Sequence, residues 1–92
     1  MSVVIVGGNE CMERRYKMLC EEYNCKSKVF TKMTGSMGDR IGTPDLIVFF
    51  TDTVSHKMIR CALSRVDTAK TGIVRSHSGS IAALRAILEA HT

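Results

Sequence analysis

The sequence predicts an α/β domain: a four-stranded, mostly parallel sheet in the order 2-1-3-4 with three helices, arranged in three layers over residues 1–92. Three observations lead there. Short apolar runs ("SVVIV", "DLIVFF", "GIV") recur along the chain and read as buried strands. Stretches with helical spacing follow each of these runs, and alternation of this kind builds parallel sheets with right-handed crossovers. Finally, 92 residues suit one core and no more.

The elements follow in order. Ser2 to Val6 form the first strand, closed by Gly7 and Gly8. In "NECMERRYKMLCEEYN", Asn9 can cap a helix, Glu10 and Glu13 suit its positive end, and Asn24 suits its exit. Met12, Tyr16, Leu19, Cys20 and Tyr23 make its inner face. "KSKVFTK" is the second strand, and its lysines place it at an edge. "MTGSMGDRIGTP" holds three glycines and the single proline, and reads as a long connecting loop. The continuous apolar run "DLIVFF" is a central strand. A helix opens near Thr53, with Val54, Met58, Cys61 and Ala62 on one face. "TGIVRSH" is the fourth strand, and "SGSIAALRAILEAH" a closing helix with Ile81, Leu84, Ile87 and Leu88 inside. The pattern is that of a flavodoxin-like or Rossmann-like domain.

An apolar share of 45% and a charged share of 24% are those of an ordinary globular protein, which argues against disorder. No apolar run approaches the roughly 20 residues of a membrane span, and the first strand starts without a signal-peptide pattern, so the expected location is the cytoplasm. Cys11, Cys20, Cys25 and Cys61 show no C-x-x-C spacing. Cys20 and Cys61 fall on core faces, whereas Cys11 lies in a first helical turn that favours thiolate. The net charge of +4 is spread through the chain, which reads as solubility or as attraction for an anionic small molecule, and the lack of basic-aromatic interleaving argues against nucleic acid.

Open parallel sheets bind ligands beyond the carboxyl ends of their strands, where the strand order reverses. Here those ends are Gly7 to Asn9, Lys32 to Thr43, Thr51 to His56 and Arg75 to Ser80. Gly8 and Asn9 could present amides to an anion, or simply form a tight turn before a helix. "SHSGS" supplies His77, Ser78, Gly79 and Ser80, a cradle whose serines serve equally as helix caps. Neither stretch has the spacing of a dinucleotide or P-loop fingerprint. "TDTVSH" is the sharpest feature. A histidine in a first helical turn faces the positive end of the dipole, which favours the neutral imidazole that metal or haem iron requires. No set for hydrolysis is complete. A loop in place of a crossover helix between the second and third strands leaves the sheet face under the His56 helix covered by that helix alone. A second copy is then expected, as a homodimer or homotetramer.

"VVIVGG", "PDLIVFFTDTVSHKM" and "VRSHSGSIAALRAIL" together resemble the domain-of-unknown-function 2325 family over essentially the whole chain. The most specific element is a T-D/N-x-V-S-H stretch after an apolar strand, matched by Thr51, Asp52, Val54, Ser55 and His56. Ser78, Ser80 and Leu84 match the opening of the last helix. The resemblance implies an oligomeric haem-binding protein with His56 as the iron ligand. Longer members often carry a lysine and a cysteine further along the second helix, where this chain has Arg60 and Cys61 nearer the motif.

The first expectation is therefore a haem protein that reacts with or senses diatomic ligands or redox state. His56 ligates iron, Met58 lends apolar surface, and Arg40, Lys57 or Arg75 with the "SHSGS" amides meets the carboxylates. The alternative is a regulatory module binding an anionic metabolite or nucleotide at the same rim. An enzyme using His56 as nucleophile or base and a pure interaction scaffold stay open as well.

Overall fold

A computed structural model describes residues 1–32 and 40–91. Four parallel strands, β1 (Ser2–Val6), β2 (Lys26–Phe30), β3 (Leu46–Phe50) and β4 (Gly72–Ser76), lie in the order β2-β1-β3-β4. This is the expected α/β arrangement. The register can be read at the middle of the sheet, where Ile5 pairs with Val29 on one side and Val48 on the other, and Val48 with Val74. β3 is buried at every position, as its unbroken apolar sequence requires of a central strand.

Three helices lie wholly within the described residues and flank the sheet: α1 (Glu13–Glu22), α2 (His56–Arg65) and α3 (Ile81–His91). A short 3₁₀ turn, Glu10–Met12, precedes α1 and takes the Asn9 cap, so α1 itself starts later than its sequence pattern suggests. Asn24 adopts a left-handed φ of 57° at the exit, a conformation asparagine tolerates well. α2 opens at His56 with Ser55 as its cap, three residues after the opening near Thr53 that the sequence suggests.

Alternate residues of each strand face opposite sides. On one side Val3, Ile5, Val48 and Phe50 pack under α1 and α3 with Tyr16, Leu19, Cys20, Leu84 and Leu88. On the other, Val4, Val6, Phe30, Ile47 and Phe49 pack with Met58 and Ala62 of α2. Ile41, 2% exposed, joins that second cluster. The expectation that α2 alone covers this face is thereby corrected. Arg40 and Ile41 are helical, and the Ile41 side chain fills the space over β1 and β2 that a bare loop would leave open. The remainder of the connection, with Met33 and Met37, lies outside the described residues. No helix among the described residues is long and apolar enough to cross a membrane.

Candidate functional site

The carboxyl rim gathers the turns after β1, β3 and β4. Gly7 and Gly8 have φ of 101° and 85°, values that L side chains rarely adopt. Their surroundings explain both residues. A Cβ on Gly8 would stand 2.8 Å from the Tyr16 ring, and one on Gly7 3.0 Å from the Phe50 carbonyl oxygen. Their amides are occupied too. Gly7 N donates to the Phe30 carbonyl at 2.8 Å, and Gly8 N to Thr53 Oγ1 at 2.6 Å. Asn9 Oδ1 accepts from Cys11 N at 2.9 Å. Both glycine amides are thus engaged within the protein, and Gly8 and Asn9 act as packing and capping residues.

The turn after β3 is tied to its neighbours in the same way. Thr51 N donates to the Ser76 carbonyl at 2.8 Å and Asp52 N to the His77 carbonyl at 3.3 Å. Thr53 Oγ1 donates to the Phe50 carbonyl while accepting from Gly8, and Ser55 Oγ accepts from Met58 N at 3.2 Å. Three of the crowded polar residues, Thr51, Thr53 and Ser55, are therefore structural. His56 is different. It sits at the first position of α2, exposed, and its imidazole has no hydrogen-bond partner among the described residues.

"SHSGS" is largely self-satisfied. Ser76 Oγ donates to the Ser78 carbonyl at 3.0 Å, Ser80 N donates to Ser78 Oγ at 3.3 Å, and Ser80 Oγ accepts from Ala83 N at 3.1 Å as the cap of α3. A Cβ on Gly79 would stand 3.2 Å from the Tyr16 hydroxyl, close enough that the ring would have to give by a few tenths of an ångström. Ser78 and Ser80 keep exposed hydroxyls, and the first amides of α2 and α3 have no partner of their own, as at any helix start.

Arg75 is paired in register with Phe49, so it projects from the same sheet face that α2 covers, and it is exposed. Lys57 and His77 are exposed at the same end. His56, Lys57, Arg75 and His77 form the cationic or basic group that the topology brings together around β3 and β4. Arg40 is not part of it. Its guanidinium lies 5.6 Å from the centroid of the Phe30 ring, by β2, at the other side of the sheet. Met58 is 5% exposed and belongs to the core under α2, so it offers no surface to a rim ligand.

Burial raises the Tyr16 hydroxyl above the ordinary tyrosine range and the Cys20 thiol up to about 11; the latter is an inert core group. Cys11 is exposed with a free thiol. No group of three or more His, Cys, Asp or Glu side chains suited to a metal ion occurs among the described residues.

A cavity lies at the opposite end of the sheet. This groove of about 400 Å³ is lined by Ser2, Val4, Lys26, Lys28, Ile41 and Thr43, among others, beside β1 and β2. Lys28 Nζ already donates to the Arg40 carbonyl there at 2.8 Å. Sequence reasoning took the alternating lysines of "KSKVF" only as an edge-strand signature; that Ile41 to Pro44 fold back beside them has no local signal.

A family profile described as "Uncharacterized protein conserved in bacteria (DUF2325)" matches residues 2–91, and the chain belongs to that family. Neither the curated proteins nor the solved structures include a match to this chain.

Proposed function

We propose that this protein binds haem through His56 and serves to bind or sense diatomic ligands or redox state. The observation that carries the reading is the free, exposed imidazole of His56 on a turn where Thr51, Thr53 and Ser55 are held by hydrogen bonds. Ser55 caps α2 and Thr51 and Thr53 anchor the turn, so the imidazole is presented from a held backbone. Exposed Lys57 and Arg75 stand at the same end to meet carboxylates, together with the first amides of α3. A histidine-ligated haem iron supplies gas binding and one-electron chemistry.

The donor and the charged partners fit the group; the enclosure is incomplete within one chain. Two cavities among the described residues lie elsewhere, at Ser2 to Pro44 and along Glu10 to Lys17, and neither touches His56. The reading therefore needs a second copy to cover the ring, in line with a homodimer or homotetramer.

A second reading rests on a separate observation. The starts of α2 and α3, of 10 and 11 residues, both open at the rim beside Arg75 and His77. Two helix N-termini with nearby cations favour an anionic metabolite or nucleotide as such, with regulatory output.

Absorption spectra after anaerobic haem reconstitution separate the two. A stoichiometric Soret band that persists in His77→Ala and disappears in His56→Ala supports the haem reading. Weak, sub-stoichiometric absorption indifferent to both substitutions overturns it, and thermal stabilisation by pyrophosphate then supports the second.

A further inference from the structure

The two edges of the sheet are built differently. β2 exposes Lys26 and Lys28, the kind of charged residues that keep an edge strand from pairing with another chain. β4, "GIVRS", has no lysine, no proline and no bulge, and Ile73 on it is 37% exposed. Gly72 N donates to the Asp45 carbonyl and the Ser76 carbonyl accepts from Thr51 N, so the backbone groups of Gly72, Val74 and Ser76 turn inward to β3. Those of Ile73 and Arg75 consequently turn outward, unpaired among the described residues.

Apolar side chains flank this edge on both sheet faces. On α3, Leu84 and Leu88 face the sheet, while Arg85 and Glu89 reach across to Glu22 and Tyr23 of the α1 region. Helical periodicity then leaves the half-buried Ala83 and Ile87 on the β4 side. On α2, Met58 and Ala62 face the sheet, and the right-handed crossover from β3 to β4 turns the half-buried Ile59 and Leu63 toward the same edge.

We propose that β4 pairs antiparallel with β4 of a second copy of this chain, about a two-fold axis at Val74, to make one continuous eight-stranded sheet. The outward groups dictate that register. Ile73 and the partner's Arg75 form a hydrogen-bonded pair, its symmetry mate forms another, and Val74 meets Val74 of the partner subunit between them. Four backbone hydrogen bonds result. Charge is complementary across the same axis. Each Arg75 projects on the α2 face, where its stem covers the partner's Ile73 and its guanidinium points toward the partner's Asp67, the exposed carboxylate that leads into β4. The axis runs the two strands in opposite directions, so the two rims lie at opposite ends, and the copy that covers a ring at His56 is a further one, as in a homotetramer. The contact draws on Arg75, which leaves Lys57 and the first amides of α3 for an anionic group at the rim.

Sedimentation equilibrium of the full chain at about 100 µM tests this, with two variants. The wild-type mass is at least twice the 10.2 kDa of one chain. Ile73→Lys sets a like charge beside the partner's Arg75 and lowers the mass at least two-fold, with circular dichroism unchanged. Val74→Cys, in a Cys11→Ser and Cys61→Ser background, forms a reducible covalent dimer under mild oxidation, because cross-strand Cα atoms at such a pair stand roughly 4.5 Å apart, within disulfide range. A monomeric wild type overturns the proposal. So does an oligomer of unchanged mass in folded Ile73→Lys, or the lack of a disulfide in Val74→Cys, which reports even if the lysine variant fails to fold.

Discussion

The hydroxyl of Tyr16, in α1, donates to the carbonyl of Gly79, 63 residues further along the chain. The same ring stacks obliquely on Phe50 at 5.4 Å between centroids and fills the space over Gly8. One buried tyrosine thus joins the turn after β1 to the turn after β4, and it explains why glycines stand at both. Tyr16→Phe leaves the Gly79 carbonyl without its partner and is expected to cost about 1–2 kcal/mol. Gly8→Ala adds a methyl group against the ring at a φ of 85° and is expected to cost more, about 3 kcal/mol. Urea unfolding of the two variants checks the order; a milder Gly8→Ala would mean that the ring moves aside freely.

Thr53 holds the rim from the other side, accepting from Gly8 N and donating to the Phe50 carbonyl. Thr53→Val keeps the shape and removes both bonds, with an expected loss of about 1–2 kcal/mol, while Thr53→Ser retains most of the stability. Amide hydrogen exchange at Gly8 gives the direct readout: it accelerates in the valine variant and not in the serine one.

Adjacent residues at the start of α2 should behave oppositely. Ser55→Ala removes the cap on Met58 N and is expected to lower stability by about 1 kcal/mol. His56→Ala touches no hydrogen bond among the described residues and should leave the unfolding free energy unchanged within about 0.5 kcal/mol. Thermal melts of the ligand-free variants decide this. A large loss in His56→Ala would make that histidine a structural residue, and the ligand-binding role would lose its support.

Alkaline pH should weaken the fold through its buried acids. Burial, with Cys25 close by, pushes the Cys20 thiol up to about 11, whereas the thiol of the unfolded chain ionises near 9. The folded state keeps its proton where the unfolded state loses it. Stability is then complete below about pH 9 and falls as the pH rises toward about 11, by roughly 2–3 kcal/mol in all. The raised Tyr16 hydroxyl acts in the same direction at still higher pH. Urea midpoints at pH 8 and 10.5 should drop for the wild type and drop less for Cys20→Ala.

Much of the scaffold is legible because it depends on local chemistry. The apolar runs of β1 and β3 and the helix exit at Asn24 are set by neighbours in sequence and appear where the chain alone places them, while Asn9 caps the 3₁₀ turn ahead of α1. Where the pattern misleads, the cause is competition among equivalent residues. Asp52, Thr53 and Ser55 can all cap a helix, and Ser55 does so because Thr53 is already engaged with Gly8.

By itself the sequence determined the α/β order, the parallel sheet, its central β3 and the convergence of polar turns at one rim, since periodicity and turn chemistry are properties of short segments. Only the tertiary structure decided what those turns are used for. Contacts between residues far apart in the chain assign Gly7, Gly8 and Gly79 to packing around Tyr16 and Phe50, place Ile41 over the sheet and draw Met58 into the core. They leave His56 free at the rim, and they leave β4 the unguarded edge. Such contacts cost loop closure and reward only the assembled core, so no window of sequence contains them.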